Sequence, residues 1–193
     1  VSVGANMRVS HATSFSAETM NTFENREANV YIHVRVSPWA SLYADTSVAE
    51  ASLDGREAFV LLTPTPTRGA LAGAHIKAGY LLLPFGLRIW DDDELTRQKT
   101  GFTFASPDLG VEAGFEKGRL STYVALSNGS GPGLDVDENK KLSVLSELTA
   151  SRLRLGLSAS MDTTQSRRTR IGGLHAGATL GRVALLGEVD FLR

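Results

Sequence analysis

The sequence predicts an all-β protein, a single antiparallel up-and-down sheet curled into a barrel. Three observations carry this expectation. Segments of apolar and polar alternation recur along the chain, short turns alternate with longer polar connections, and the polar sides of the strands mix charges with Gly and Ser. The clearest segment is Arg152–Met161. Leu153, Leu155, Leu157, Ala159 and Met161 fall on one side, and Arg152, Arg154, Gly156, Ser158 and Ser160 on the other. Successive side chains of a strand point to opposite faces, so this strand has one apolar and one wet face.

The other elements follow in chain order. Val30, Ile32, Val34 and Val36 alternate with Tyr31, His33, Arg35 and Ser37 until Pro38, and Trp39 follows as an interfacial aromatic. Leu42, Ala44, Thr46 and Val48 then alternate with Ser41, Tyr43, Asp45 and Ser47. Leu109, Val111, Ala113 and Phe115 oppose Asp108, Gly110, Glu112, Gly114 and Glu116. The short turn Glu116-Lys117-Gly118-Arg119 leads into Leu120, Thr122, Val124 and Leu126, which reads as a hairpin. Leu174–Leu180 and Val183–Phe191 form another around Gly181-Arg182. Arg56–Thr63 is a continuous apolar run, and Leu81-Leu82-Leu83 breaks the parity of the segment from Gly73 to Pro84. About eleven strands are expected, over 1–13, 28–37, 39–49, 56–64, 73–84, 106–117, 119–128, 140–147, 151–161, 168–180 and 182–193. Connections near 38, 65–72, 117, 148–150 and 181 read as mostly short. Those near 14–27, 51–55, 86–105, 129–139 and 162–167 read as longer and polar. A transmembrane barrel with short turns at one end and long loops at the other predicts that alternation.

Composition narrows the function classes. The chain has 193 residues, 42% hydrophobic and 21% charged, enough for one folded domain over 1–193. Lys plus Arg number 20 against 21 Asp plus Glu, so no basic excess points to nucleic acid. The absence of cysteine removes disulfides, thiolate metal sites, covalent haem attachment and Cys nucleophiles. No apolar run approaches the roughly 18 residues of a membrane helix, which leaves a barrel untouched because its strands alternate. Bacterial single-chain barrels use even strand numbers, and Phe191-Leu192-Arg193 still read as strand. The expectation is therefore the N-terminal part of a larger barrel.

The segment Ala78-Gly-Tyr-Leu-Leu-Leu-Pro-Phe-Gly-Leu-Arg88 resembles a strand-to-loop element of Gram-negative porin-like proteins, the broad group that includes phosphate-selective porins. Asp108-Leu-Gly-Val-Glu-Ala-Gly114 and Ser127-Asn-Gly129 are similar to that group as well, so the resemblance spans roughly residues 70–130. It implies an outer-membrane barrel. Phosphate-selective members carry clusters of lumenal Arg and Lys. Here Arg35, Lys77, Arg152 and Arg154 stand beside Asp45, Asp108, Glu112, Glu116, Glu188 and Asp190, which departs from that pattern.

The expected lumenal, selectivity-setting residues are Arg35, Lys77, Glu112, Arg152, Arg154, Glu188 and Asp190. Arg35, Arg152 and Arg154 could form a basic wall opposite an acidic one of Glu112, Glu188 and Asp190, giving a transverse field at a constriction. Equally, these charges could pair across neighbouring strands and keep the lumen hydrated. Arg88, Trp90, Asp91, Asp92, Asp93 and Glu94 lie in the longest connection. A charge run there reads first as a solvated loop and second as a constriction loop. Asp135, Asp137 and Asn139 match the first ligands of a calcium loop, but Lys140 occupies the position that requires Gly. His11, His33, His75 and His175 show no ligand spacing, and there is no Gly-x-Ser-x-Gly elbow, phosphate loop or dinucleotide fingerprint.

The expected function is passive diffusion of ions or small polar solutes across the bacterial outer membrane, without cofactor, metal or chemical step. The expected partners are outer-membrane lipid, the solute, and a second copy or a lumenal protein. Two alternatives stand beside it. One is a structural barrel sheathing a partner such as a multihaem electron carrier. The other is a soluble β-sandwich or ligand-binding barrel.

Overall fold

The computed structural model describes residues 1–15, 19–48, 54–64, 69, 71–87, 95–103, 106–131, 135, 138–163 and 168–193. The strands are β1 (Ser2–Phe15), β2 (Thr19–Ser37), β3 (Ala40–Ser47), β4 (Asp54–Leu62), β5 (Ala74–Leu81), β6 (Asp108–Lys117), β7 (Leu120–Ser127), β8 (Lys141–Ala150), β9 (Leu153–Thr163), β10 (Arg168–Leu180) and β11 (Val183–Leu192). They form one antiparallel sheet in strict sequence order, so the chain is all-β and up-and-down as the alternation predicts. β1 and β11 are its two edges and do not pair with each other.

Three local features differ from the sequence reading. The region 14–27, expected as a long loop, is mostly strand: Val9 pairs with Asn25, His11 with Phe23 and Phe15 with Thr19. Asn21, Glu24, Asn25, Arg26 and Glu27 hide the alternation, while a backbone ladder does not depend on apolar side chains. The connection at 63–73 is longer than the one at 16–18, so loop lengths alternate only in part. The turns 38–39, 118–119, 151–152 and 181–182 are the two-residue hairpins the expectation requires. Finally, a short helix, α1 (Leu95–Thr100), lies inside the expected 86–105 loop. Its Leu, Arg, Gln and Lys are good helix formers. Gly101 ends it at φ +76°, its N–H donating to the Arg97 carbonyl at 2.9 Å.

The period of two sorts the side chains into two faces. On one face, Leu42, Val60, Ala78, Val111, Leu126, Leu142 and Met161 stand in register from β3 to β9. Leu157, Leu174 and Val189 continue the apolar surface across β9 to β11, each more than half exposed or at half. This is the outer face, and no other layer of the described residues covers it. On the opposite, inner face Lys77, Glu112, Ala125, Ser143, Ser160 and Ile171 stand in register from β5 to β10.

The core lies against the inner face. Beyond β5 the chain turns back onto the sheet, burying Leu81, Leu83, Phe85 and Leu87. Phe85 and Phe102 stack with ring centroids 4.3 Å apart. Together with Leu83 they pack on Ala125 of β7 and Ile171 of β10. The run Leu81-Leu82-Leu83 breaks the alternation because the strand ends at Leu81. Phe85 is 1% exposed, so Phe85→Ala is expected to cost about 3–5 kcal/mol, the usual range for emptying an aromatic core site. Equilibrium urea unfolding of the variant beside the parent measures it.

Candidate functional site: the charged inner face

Among the described residues three ion pairs stand on the inner face; strand pairing positions two of them, and α1 delivers Arg97 to the third. Lys77 of β5 and Glu112 of β6 are direct cross-strand partners, with Nζ 3.0 Å from Oε1. His75 Nε2 lies 3.8 Å from the same oxygen. The His75 ring crosses Gly114, its own partner on β6, where a Cβ would overlap it. Tyr123 stands beyond with its ring centroid 5.9 Å from that of His75, and its hydroxyl donates to Glu116 at 2.7 Å.

The second group joins three strands. Glu147 of β8 accepts from Arg154 Nε of β9 at 2.7 Å and from His175 Nε2 of β10 at 2.8 Å. A carboxylate only accepts, so Nε2 carries the proton in this bond. Glu147 and His175 are two strands apart, and strands are spaced about 4.8 Å. They meet because Gly156, in register between them, has no side chain; a Cβ there would overlap the imidazole.

The third group holds the inserted segment to the far edge of the sheet. Glu188 of β11 accepts from the Leu87 N–H and from Arg97 of α1, both at 3.0 Å. Arg97 also donates to the Phe85 carbonyl at 3.4 Å. Both side chains of the ion pair are 3% exposed. Gly86 makes this approach possible: it adopts φ +58°, and a Cβ there would overlap the Glu188 carboxylate.

The structure distributes the expected site residues unevenly. Lys77, Glu112, Arg154 and Glu188 all stand on the inner face in the pairs just described. Asp190 is half-buried on β11 opposite Gly173. Arg35 is exposed on β2, on the same face as Ser41 of β3. Arg152 is displaced from the expected strand: it lies exposed in the turn Ser151-Arg152, where Ser151 takes φ +36°. Arg88, Trp90, Asp91, Asp92, Asp93 and Glu94 lie outside the described residues. The described charges are interleaved rather than sorted into a basic and an acidic wall. Glu112, Glu147 and Glu188 each have a cation beside them, because an unpaired buried charge costs several kcal/mol.

Arg97, Glu147 and the partnership of His175 with Gly156 are additions to the sequence reading. Inward parity on β8 marks Glu147, and a Gly one strand away from a His is a weak signal for a ring crossing. Nothing periodic marks Arg97. The calcium-like run is closed off where it is described: Lys140 donates to Asp135 at 2.8 Å, and Asp137 lies outside the described residues.

This is an all-β protein of the single-sheet, up-and-down class, with an internally seated segment. No protein-family model matches the chain, and no curated protein is similar to it.

Removing Glu188 leaves Arg97 buried without its carboxylate, and Glu188→Ala is expected to cost about 3–5 kcal/mol. Hydrogen exchange at the Leu87 amide should accelerate with it; unchanged protection would show that Glu188 does not hold the segment. The double replacement Arg97→Met with Glu188→Leu should cost less than the sum of the two single changes.

Proposed function

We propose that the protein spans the outer membrane as a porin-like barrel and passes ions or small polar solutes passively. The observation that carries this reading is the direction of the two faces. Leucines and valines cover the outside of the sheet from β3 to β11, while the charged and small residues face inward with the inserted segment. A sheet facing water would bury that apolar face against a second layer. Lipid makes a second layer unnecessary, and water inside accounts for the paired charges.

Lipid also constrains the edges. Unpaired backbone groups in hydrocarbon cost several kcal/mol each, so β1 and β11 need partners there. The two edges run in the same direction, as the first and last strands of an eleven-stranded meander do. Pairing them directly would make a parallel ladder; antiparallel closure takes an odd number of further strands.

Planar-bilayer conductance under a salt gradient tests the channel. Stable unitary steps are expected, with a reversal potential that reports the charge preference. Insertion without current would favour a structural barrel that encloses a partner. The lipid-facing assignment has its own measurement. Leu157→Arg is expected to cost about 2–4 kcal/mol of folding free energy in vesicles, as at a bilayer midplane. At a water-facing site the same exchange stays within about 0.5 kcal/mol.

A further inference from the structure

The inner face is hollow towards the turns 118–119 and 151–152. A cavity of about 550 Å³ opens there over Glu116, Tyr123, Glu147 and Arg154, with Lys77 to one side and Leu145 as its floor. That volume is within the roughly 300–1,000 Å³ of small-ligand sites. Register sets the lining. Glu116, Ser121 and Glu147 stand in one inward row across β6 to β8, and the next row towards the turns carries Thr149 and Arg154.

The charges around this cavity are not all satisfied within the protein. Lys77 pairs with Glu112 and Arg154 with Glu147, yet the two cationic side chains keep 20% and 39% exposure. Arg154 turns Nε and Nη2 to Glu147, which leaves the Nη1 donors. Glu147 receives Arg154 and His175 on Oε1 alone, which leaves Oε2 as an acceptor. Glu116 is exposed and accepts from the Tyr123 hydroxyl, and no cation among the described residues pairs with it. Glu116 leans towards β7 and Arg154 towards β8, so the carboxylate and the Nη1 donors approach each other over one cavity. A simple anion would meet Glu116 and Glu147 Oε2 there, and a simple cation would meet Arg154 and Lys77. A solute that carries both charges finds a partner at each end.

We propose that this cavity binds a small zwitterion of the α-amino acid class, with its ammonium group on Glu116 and its carboxylate on Arg154 Nη1. Tyr123 positions Glu116 through its hydroxyl, and Leu145, 2% exposed, meets the carbon body between the charges. The proposal rests on the channel reading only in making this solute one that passes; the site itself can be read without current.

Alanine and its two half-charged analogues test the site: ethylamine lacks the carboxylate, and propanoate lacks the ammonium. Saturation-transfer NMR on the full chain in nonionic detergent, with protein-free micelles as the blank, gives their affinities. Alanine is expected to bind at least about tenfold tighter than either analogue, the worth of one charge-assisted hydrogen bond. Glu116→Gln should weaken alanine and ethylamine by about tenfold and leave propanoate unchanged. Arg154→Gln should weaken alanine and propanoate and leave ethylamine unchanged. Glu116 is exposed, so its exchange spares the fold and decides alone if Arg154→Gln unfolds. Equal affinities for the three compounds, no binding of alanine, or the same loss for all three in Glu116→Gln would overturn the proposal. In planar bilayers, a silent protein that still ranks the three compounds removes the channel reading and keeps the site. A conducting pore that does not rank them keeps the channel and removes the site.

Discussion

A single sheet has no second layer to bury a face against, and the rest of this structure answers that constraint. The inner face carries charged and small side chains and cannot be left unpacked. The chain returns between β5 and β6 to lay Leu83, Phe85 and Phe102 on Ala125 and Ile171. The protein core is therefore a segment against a wall, not a layer between walls. Everything else on the inner face is arranged around that seat.

Glycine and other small residues do the arranging. A bulky inward side chain on one strand needs a vacancy beside it: register supplies it for His75 over Gly114 and His175 over Gly156, and the inserted segment supplies it for Glu188 against Gly86. The vacancy at Gly156 lets His175 reach Glu147, a partner two strands away that neighbour spacing would deny it. Charges on the inner face then neutralise one another locally. This is why an inner face with many ionisable groups can still be locally balanced.

Most strands were legible in the sequence because they have one apolar face, and period two is a strong signal. Arg56–Thr63 and Leu81-Leu82-Leu83 were harder, the second because inward packing of the return segment replaces alternation there. The turn at Ser151-Arg152 carries no Gly or Asn-Gly signature, since Ser151 itself takes the positive φ. That hid the end of β8 and moved Arg152 off the wall. The half of β2 before Ala28 was hidden by its polar composition. Lys77, Glu112, Arg154 and Glu188 were found by parity alone. Arg97 was not, because a side chain delivered by a short helix in a long connection leaves no periodic trace.

The bond from the Leu87 amide to Glu188 spans 101 residues. Every ladder in the sheet, by contrast, joins strands adjacent in sequence. Loop closure entropy is small for each hairpin and largest for that one clasp. The sheet can assemble strand by strand from local pairings, but the clasp has no acceptor until β11 has joined. The apolar seat of the segment needs only β7 and β10, whereas its polar clasp waits for β11.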